Sequence, residues 1–278
     1  MIIAVSTRCV AATTGEAPLQ WRLPNTATVQ WRGMLPTEGG AVGMGPQVGL
    51  YGSGGGGLAG ALGALVAHGI ISQTARAAAN RQAQEAADSV LAPYADKINV
   101  WPSSALWELA VAAAPPTLGI KLWDGKSPAD GGPSIETAPT FALSLDESVL
   151  VLDVVVKLIS TTGAAPVERN TRVISTPLGS VNPREYWGDN DARQLKATAA
   201  AMLAHAIEIS VRLAQFPSEE SVPMRTHRYM QGAIERFERA QLLAGDCGRL
   251  KLRNLRGWVI SVPIKTESLD VCTRKTTF

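Results

Sequence analysis

The sequence predicts an α+β fold, with a mixed, mostly antiparallel sheet packed by a long helix and a glycine-rich helical segment close to a membrane. Three observations predict it. Apolar residues alternate along residues 141–159, as in a β-hairpin. One apolar seam runs through residues 189–216 at helical spacing. Residues 39–75 contain no Lys, Arg, Asp or Glu and hold 13 of the chain's 26 glycines.

Composition supports a folded chain. The 278 residues are 46% hydrophobic and 18% charged, which suits a substantial core and excludes disorder over the whole length. We divide the chain into an extended segment (1–38), a glycine-rich and amphipathic helical segment (39–93), and an α+β domain with a basic C-terminal part (94–278).

The first elements follow from turn residues and periodicity. Residues 11–38 predict a loop with one or two strands around Trp21 and Trp31. An amphipathic pattern predicts one long helix, or two abutting helices, from Leu58 to Leu91, ended by Pro93. The next expected elements are a helix over Ser104–Ala114, a strand over Thr117–Trp123 and a loop over 124–139.

The predicted hairpin turns at Asp146-Glu147-Ser148. Its second strand, Val149–Ile159, has one wholly apolar face and one mixed face, so one side should lie on a core. A third strand is expected at Asn170–Ser175.

The seam of the predicted helix Asp189–Phe216 has 4,3,4,3,4 spacing, and a seam this short favours packing on a sheet. Its members are Leu195, Ala199, Met202, Ala206, Ile209 and Leu213. Trp187 is expected to pack at the entry of the helix. In the tail we expect a turn of helix at Ile234–Leu243 and a final strand at Trp258–Val262.

The glycines form rows on a helix. Gly52, Gly56 and Gly60 have GxxxGxxxG spacing and Ala64 extends the row, which makes a flat groove for close helix packing. Because each glycine costs a helix about 1 kcal/mol, such a row suits a membrane or an oligomer.

The same segment has two chemical interpretations. Gly52–Gly57 satisfies GxGxxG, as in a nucleotide-binding turn, but no acidic second strand follows it. Ser53 resembles a nucleophile elbow, which would have to recruit His205 or His227. A flexible loop is a further alternative.

Cysteine and histidine spacing predicts no metal site and no cofactor. Cys247 and Cys272 are expected either to form a disulfide or to remain reduced. Cys9 follows an apolar run like that of a lipoprotein signal, although Arg8 and the missing basic residues depart from that pattern. A short edge strand is the alternative there.

The C-terminal part is basic. Residues 221–278 contain 11 Lys or Arg and 5 Asp or Glu, a net charge of +6, whereas the rest of the chain is at −4. The candidate anion-binding residues are Arg249, Lys251, Arg253 and Arg256, and Arg249–Arg253 alternates like an edge strand with one basic face. Because Glu235, Glu238 and Asp246 interrupt the charges, we expect a salt-bridged surface and no nucleic-acid partner.

The order of these parts resembles bacterial cell-envelope proteins, often lipoproteins, in which a glycine zipper (here Gly52, Gly56 and Gly60) leads into an alanine-rich helix and an α+β domain. The resemblance implies a non-enzymatic structural or assembly role in the envelope. The resemblance also implies a location in the envelope, and the glycine row favours a homo-oligomer or other envelope partners, with contact to a membrane. The alternatives are a soluble enzyme that binds a nucleotide or acyl group at Gly52–Gly57, and an anion or nucleic-acid binder that uses the basic tail.

Overall fold

The computed structural model describes residues 19–22, 28–35, 73–123, 133–160, 164–215, 222–246 and 248–264. Their α+β fold confirms the predicted class. The helices are α1 (Gln73–Asp88), α2 (Ala95–Ile98), α3 (Ser103–Ala113) and α4 (Pro183–Gln215). The strands are β1 (Leu19–Arg22), β2 (Gln30–Gly33), β3 (Ile120–Leu122), β4 (Ser134–Leu143), β5 (Leu150–Ile159), β6 (Val167–Ile174), β7 (Arg225–Gln231), β8 (Ile234–Asp246), β9 (Arg249–Asn254) and β10 (Val259–Pro263).

All ten strands belong to one mixed sheet, in the order β3-β1-β4-β5-β6-β10-β9-β8-β7, with β2 paired to β4 beside β1. The pairs made by β1, β2 and β3, and the pair between β10 and β6, are parallel. The remaining five pairs are antiparallel. The two short N-terminal strands expected near Trp21 and Trp31 are therefore present, as the first members of this sheet.

The predicted hairpin is confirmed as β4 and β5, which pair from Ser134↔Ile159 to Leu143↔Leu150. Its turn is held by Asp146, whose carboxylate accepts hydrogen bonds from the Ser144 and Ser148 hydroxyls. Strand β4 begins earlier than expected, because Ser134–Pro139 belong to this strand and not to the predicted loop. Strand β6 confirms the third predicted strand.

Helix α4 confirms the predicted seam, which faces the core, and it starts six residues before the predicted Asp189. Its first turns, which include Trp187, are separated from the rest by a break at Asp189–Ala192. Asn190, Asp191 and Ala192 have positive φ values of 49°, 59° and 55°. The break lets Trp187 point into the core, where its indole N–H donates to the Glu147 carbonyl at 2.6 Å.

The main core lies between the helices and one face of the sheet. It includes the apolar face of β5, the seam of α4, and three fully buried tryptophans, Trp21, Trp107 and Trp187. Helix α1 contacts β2 at Gly33, where an added Cβ would stand 1.9 Å from the Ala87 carbonyl oxygen. The described end of the predicted 58–91 helix is thus part of this core region.

The opposite face of the sheet carries a second core because the sheet coils. The tip of the β7–β8 hairpin touches the β4–β5 turn, where the Ala233 N–H donates to Asp146 at 3.3 Å. Gln231 on β7 also contacts Met34, just after β2. The enclosed apolar residues come from both halves of the sheet, among them Val151, Ile174, Tyr229, Leu252 and Ile260.

The prediction of a helical turn at Ile234–Leu243 is wrong. This stretch is β8, a 13-residue strand paired on both sides. Its Glu, Arg, Ala and Leu residues favour a helix intrinsically, but pairing with β7 and β9 outweighs that preference. The final strand at Trp258–Val262 is confirmed as β10.

Candidate anion-binding surface

Several predicted site residues lie outside the described ranges. They are Gly52, Gly56, Gly60 and Ala64 of the packing row, Ser53, and all three cysteines. Within those ranges, no group of three or more His, Cys, Asp or Glu side chains could hold a metal ion. The candidate site is therefore built from the basic residues of the C-terminal strands.

Strand β9 presents the predicted basic face. Arg249, Lys251 and Arg253 lie on one side, and Leu252 on the other side is fully buried in the second core. However, β9 lies between β8 and β10, so the prediction of an edge strand is wrong. The sheet, and not the edge of a strand, presents these charges.

Arg256, the fourth predicted residue, is not on this face. It occupies the tight turn after β9, where its backbone N–H donates to the Asn254 side chain at 3.0 Å. Arg256 and Lys251 are both engaged in interactions of their own. Three of the four predicted residues thus lie on one side of β9.

The basic face is on the helix side of the sheet. Lys251 is in register with Ser261 of β10, and Ser261 is in register with Val173 of β6, which belongs to the main core. Helix α4 packs over β5 and β6. The outward sides of β7, β8 and β9 lie beyond it.

Strand register adds further arginines to this side. Thr226, Arg228 and Met230 of β7 face Arg239, Phe237 and Glu235 of β8. Arg169 and Thr171 lie two residues apart on β6, so their side chains are on the same side of the strand. This is the side of α4, because the Thr171 hydroxyl lies 3.2 Å from the Ser210 hydroxyl on that helix. We call Arg169, Arg228, Arg239 and Arg253 the arginine face.

These four arginines lack acidic partners. No carboxylate among the described residues forms a salt bridge with any of them; the ion pairs lie elsewhere. The Nε of Arg169 is buried and has no hydrogen-bond partner in the described part of the chain. Burial and then the charge of Arg253 lower the pKa of Arg169, so two like charges face each other without neutralisation.

The acidic residues expected to interrupt the basic patch lie on different sides of strand β8. Glu238 faces the second core, is 7% exposed and bonds Asn254, and burial raises its pKa. Glu235 shares the outward side with Phe237. The salt-bridged surface expected from the sequence is therefore absent from the arginine face, as far as the described side chains extend.

An aromatic ring completes the surface. Phe237 is 52% exposed, and the Arg228 guanidinium carbon stands 5.2 Å from its ring centre. An exposed ring costs free energy in water, and it offers a flat surface on which a planar group can stack. The cation beside it strengthens contact with an electron-rich or anionic ring system.

Arg249 behaves differently from its neighbours on β9. Its Nε donates to the Ser261 hydroxyl at 3.0 Å, and its Nη2 donates to the carbonyl oxygens of Ile174 and Ser261 at 2.6 and 2.9 Å. Burial lowers its pKa to about 10. It is a fixed cation inside the structure and not a member of the open face.

Sequence reasoning missed Arg169 and Phe237. Arg169 lies 84 positions before Arg253 in the sequence, outside the basic C-terminal part that begins at residue 221, and only the β6–β10 pairing brings it beside Arg253. The predicted helical turn at Ile234–Leu243 includes Phe237, and a helical turn does not place Phe237 on one side with Glu235 and Arg239 as strand β8 does. The local signal for Arg169 is the alternation Arg169, Thr171, Val173 along one strand.

No protein family model, curated protein or solved structure matches this chain. Among the described helices, only α4 is long and apolar enough to suit a membrane crossing, and 56% of its most apolar stretch is buried. Burial of that kind is typical of the core helix that α4 forms on this sheet.

Proposed function

We propose that this chain is a non-enzymatic binding protein whose arginine face holds a phosphate-bearing polymer, and that this polymer is single-stranded nucleic acid. One observation carries the proposal. Arg169, Arg228, Arg239 and Arg253 share the side of the sheet beyond α4, and no described carboxylate pairs with any of them.

The chemistry of arginine favours phosphate. A guanidinium presents a rigid fork of N–H donors that matches phosphate oxygens, and it stays charged at any physiological pH. Neighbouring positions on one side of a strand are about 7 Å apart, so the face offers spaced charges rather than one point. Such a row can follow a polymer backbone without reading its sequence.

The exposed ring favours a single strand over a duplex. Proteins that hold single strands combine basic grooves with aromatic rings on which bases stack, at about 1–3 kcal/mol per base. Phe237 supplies a ring at the end of the face, with Arg228 beside it. The bases of a duplex are already stacked on one another and would leave this ring without a partner.

The test is the affinity of the full chain for a fluorescent single-stranded oligonucleotide, measured by anisotropy over a range of salt. The double variant Arg169→Gln, Arg253→Gln removes two charges. We expect weaker binding, with the slope of log K against log salt reduced by about 0.7 for each lost phosphate contact.

The matched control is Arg225→Gln. Arg225 is an exposed arginine of β7 whose side chain points to the opposite side of the sheet from Arg228, so its loss removes one charge, half as many as the double variant, and spares the arginine face. If the control weakened binding as much per removed charge as the double variant does, a defined face would be refuted. Binding to anionic vesicles without binding to oligonucleotide would assign the face to lipid and overturn the proposal.

The envelope-assembly role is a separate proposal that rests on Gly52, Gly56, Gly60 and Ala64, which lie outside the described ranges. If this role is correct, we expect the wild-type chain to fractionate with membranes and to form oligomers. The double variant Gly56→Leu, Gly60→Leu should lose that assembly, because leucine side chains would fill the groove. A variant that fractionates and assembles like wild type would remove the basis for this role.

A further inference from the structure

A cleft of about 320 Å³ lies between α4 and the ends of β6 and β9. Trp187 and Met202 give it apolar walls, Tyr186 and Thr198 add hydroxyl groups, and His205 and Arg249 add an imidazole ring and a guanidinium. A cavity of about 150 Å³ is enough for a benzene ring. This cleft therefore has room for one ring or a branched chain together with a polar head.

The walls of the cleft are fixed by neighbouring contacts. The Tyr186 and Trp187 rings pack edge to face with centres 4.8 Å apart. The Trp187 indole is bonded to the Glu147 carbonyl, and the Glu147 carboxylate accepts hydrogen bonds from Tyr94 and Arg184. A preformed aromatic wall of this kind loses little conformational entropy when a ligand binds.

Among the described residues that line the cleft, Arg249 is the only Lys or Arg. All three of its hydrogen bonds go to neutral oxygens, those of Ser261 and Ile174, and no described carboxylate pairs with it. Nη1 makes none of these bonds, so its two N–H groups are still available. A half-buried charge without a counter-ion is costly, and an anionic ligand would supply that counter-ion.

Burial first, and then the charges of Arg249 and Lys251, lower the pKa of His205, and Glu208 opposes this shift. Since the Arg249 Nε–H donates to the Ser261 hydroxyl, that hydroxyl can donate to His205 Nε2 at 3.0 Å. The Nδ1–H then points to Glu208 at 3.5 Å. With these bonds made, neither ring nitrogen of His205 has an N–H to offer the cleft, and Arg249 is the charged donor among the described lining residues.

The Glu208–His205–Ser261 order matches that of a hydrolase triad, but it does not support hydrolysis. Ser261 is fully buried, is not part of the cleft lining, and its oxygen already accepts a bond from Arg249. A substrate carbonyl has no access to that oxygen. The three residues instead hold Arg249 in position.

We infer that this cleft binds a small organic carboxylate, with the carboxylate on Arg249 and an aromatic or branched apolar group against Tyr186, Trp187 and Met202. One guanidinium with free N–H groups matches the charge and planar shape of one carboxylate. A dianionic phosphate would leave charge unpaired, because Arg249 is the one Lys or Arg among the described lining residues and both ring nitrogens of His205 face Ser261 and Glu208. The site is independent of the arginine face, from which it differs in residues and in ligand class.

The probes are benzoate, its neutral isostere benzamide, and phenyl phosphate, titrated into the full chain by calorimetry and by ligand-observed NMR. We expect saturable binding of benzoate that is at least about tenfold tighter than that of either other probe, since one charged hydrogen bond accounts for about that ratio. Equal binding of benzamide, or tighter binding of phenyl phosphate, would overturn the inference, as would absence of benzoate binding.

A cleft-filling variant guards against loss of folding. Ala201 is an exposed residue of α4 in the cleft lining, so Ala201→Trp should occupy the cleft with Arg249 intact. Ala197→Trp is the matched control, because Ala197 is also exposed on α4 but is not part of the lining. Benzoate affinity should fall at least about tenfold in the first variant only.

The oligonucleotide assay keeps the two proposals apart. Both α4 variants should bind the single strand as wild type does, since neither alters the arginine face. If benzoate binding survives in Ala201→Trp, the carboxylate lies elsewhere and the cleft inference fails. If benzoate binds as expected but no oligonucleotide does, only the function proposed for the arginine face fails.

Discussion

Arg249 and Arg253 lie four residues apart on the same side of β9, and their surroundings are opposite. Arg249 makes three hydrogen bonds to Ser261 and Ile174 and is held at the wall of a cleft. Arg253 stands beside Arg169, a second cation, and its side chain has no described hydrogen bond or ion pair. Identical residues at equivalent strand positions thus have a guanidinium held in place by hydrogen bonds at one end and a guanidinium without such bonds at the other.

The difference comes from what lies across the sheet at each end. At Arg249, β6 ends and exposes the Ile174 carbonyl, and β10 offers the Ser261 hydroxyl. At Arg253, the residues in register on the neighbouring strands are Val259 and Gln241. Arg169, on the next strand beyond β10, adds a second positive charge. Alternation decides which side a residue faces, and non-local neighbours decide whether its charge is used in the fold.

The largest expected effect is a difference in the free energy of unfolding between variants of Arg249 and Arg253. Arg249→Gln removes the guanidinium and leaves the buried Ile174 and Ser261 carbonyls without their donor. We expect a loss of roughly 2–4 kcal/mol in the free energy of unfolding. Arg253→Gln should stay within about 0.5 kcal/mol of wild type. Urea denaturation measures both, and equal losses would show that the Arg249 bonds do not persist in solution.

The next effect concerns the hydroxyl that serves Arg249. Ser261→Ala removes the acceptor for Arg249 Nε and the partner of His205 Nε2, at a cost of about 1–2 kcal/mol. Thr226→Ala, an exposed hydroxyl on the same side of the sheet, is the control and should cost little. The cost of Ser261→Ala should shrink in the Arg249→Gln background, because the shared bond is already lost. Strict additivity would contradict that coupling.

The two ends of β9 also show how far the sequence alone reaches. The alternation Arg249-Leu-Lys-Leu-Arg253 correctly predicted one basic side, because period two is a property of the strand itself. The position of β9 inside the sheet could not be predicted, since it depends on β8, whose residues favour a helix intrinsically. Hairpin β4–β5 and the seam of α4 were predictable because their periodicity is strong and local.

The partners of each arginine depend on contacts that local patterns do not encode. Arg169 and Arg253 are 84 positions apart in sequence, and only the parallel pairing of β6 with β10 brings them together. Arg249 and His205 meet through the packing of α4. The assignment of Glu238 as an interruption of the basic patch failed for the same reason, because its strand was not recognised and its side was therefore unknown.

A smaller change in stability is expected when the charge of Arg253, beside Arg169, is reversed. Arg253→Glu places a carboxylate beside Arg169, which replaces repulsion by attraction. Partly exposed pairs of this kind contribute about 0.2–1 kcal/mol, so the variant should be slightly more stable than wild type. It should also bind single-stranded oligonucleotide more weakly than Arg253→Gln does. A loss of stability would mean that Arg253 has a favourable partner in solution.

The smallest expected effect is in the pH dependence of stability. His205 has a folded pKa below its ordinary value of 6.5, through burial and then through Arg249 and Lys251, opposed by Glu208. As the pH falls below 6.5, the unfolded chain takes up the proton first, so stability is present above that pH and declines below it. Unfolding measured from pH 7 to just below 6 should therefore show a decline that His205→Gln makes shallower.

The two arginines should differ in this profile as well. Arg249→Gln removes one of the charges that hold the His205 pKa down, so the decline should become shallower without disappearing, because burial remains the larger cause. Arg253→Gln should leave the profile unchanged, since Arg253 is not among the groups that act on His205. Equal changes in both variants would show that the effect follows net charge and not the contacts at the Arg249 end of β9.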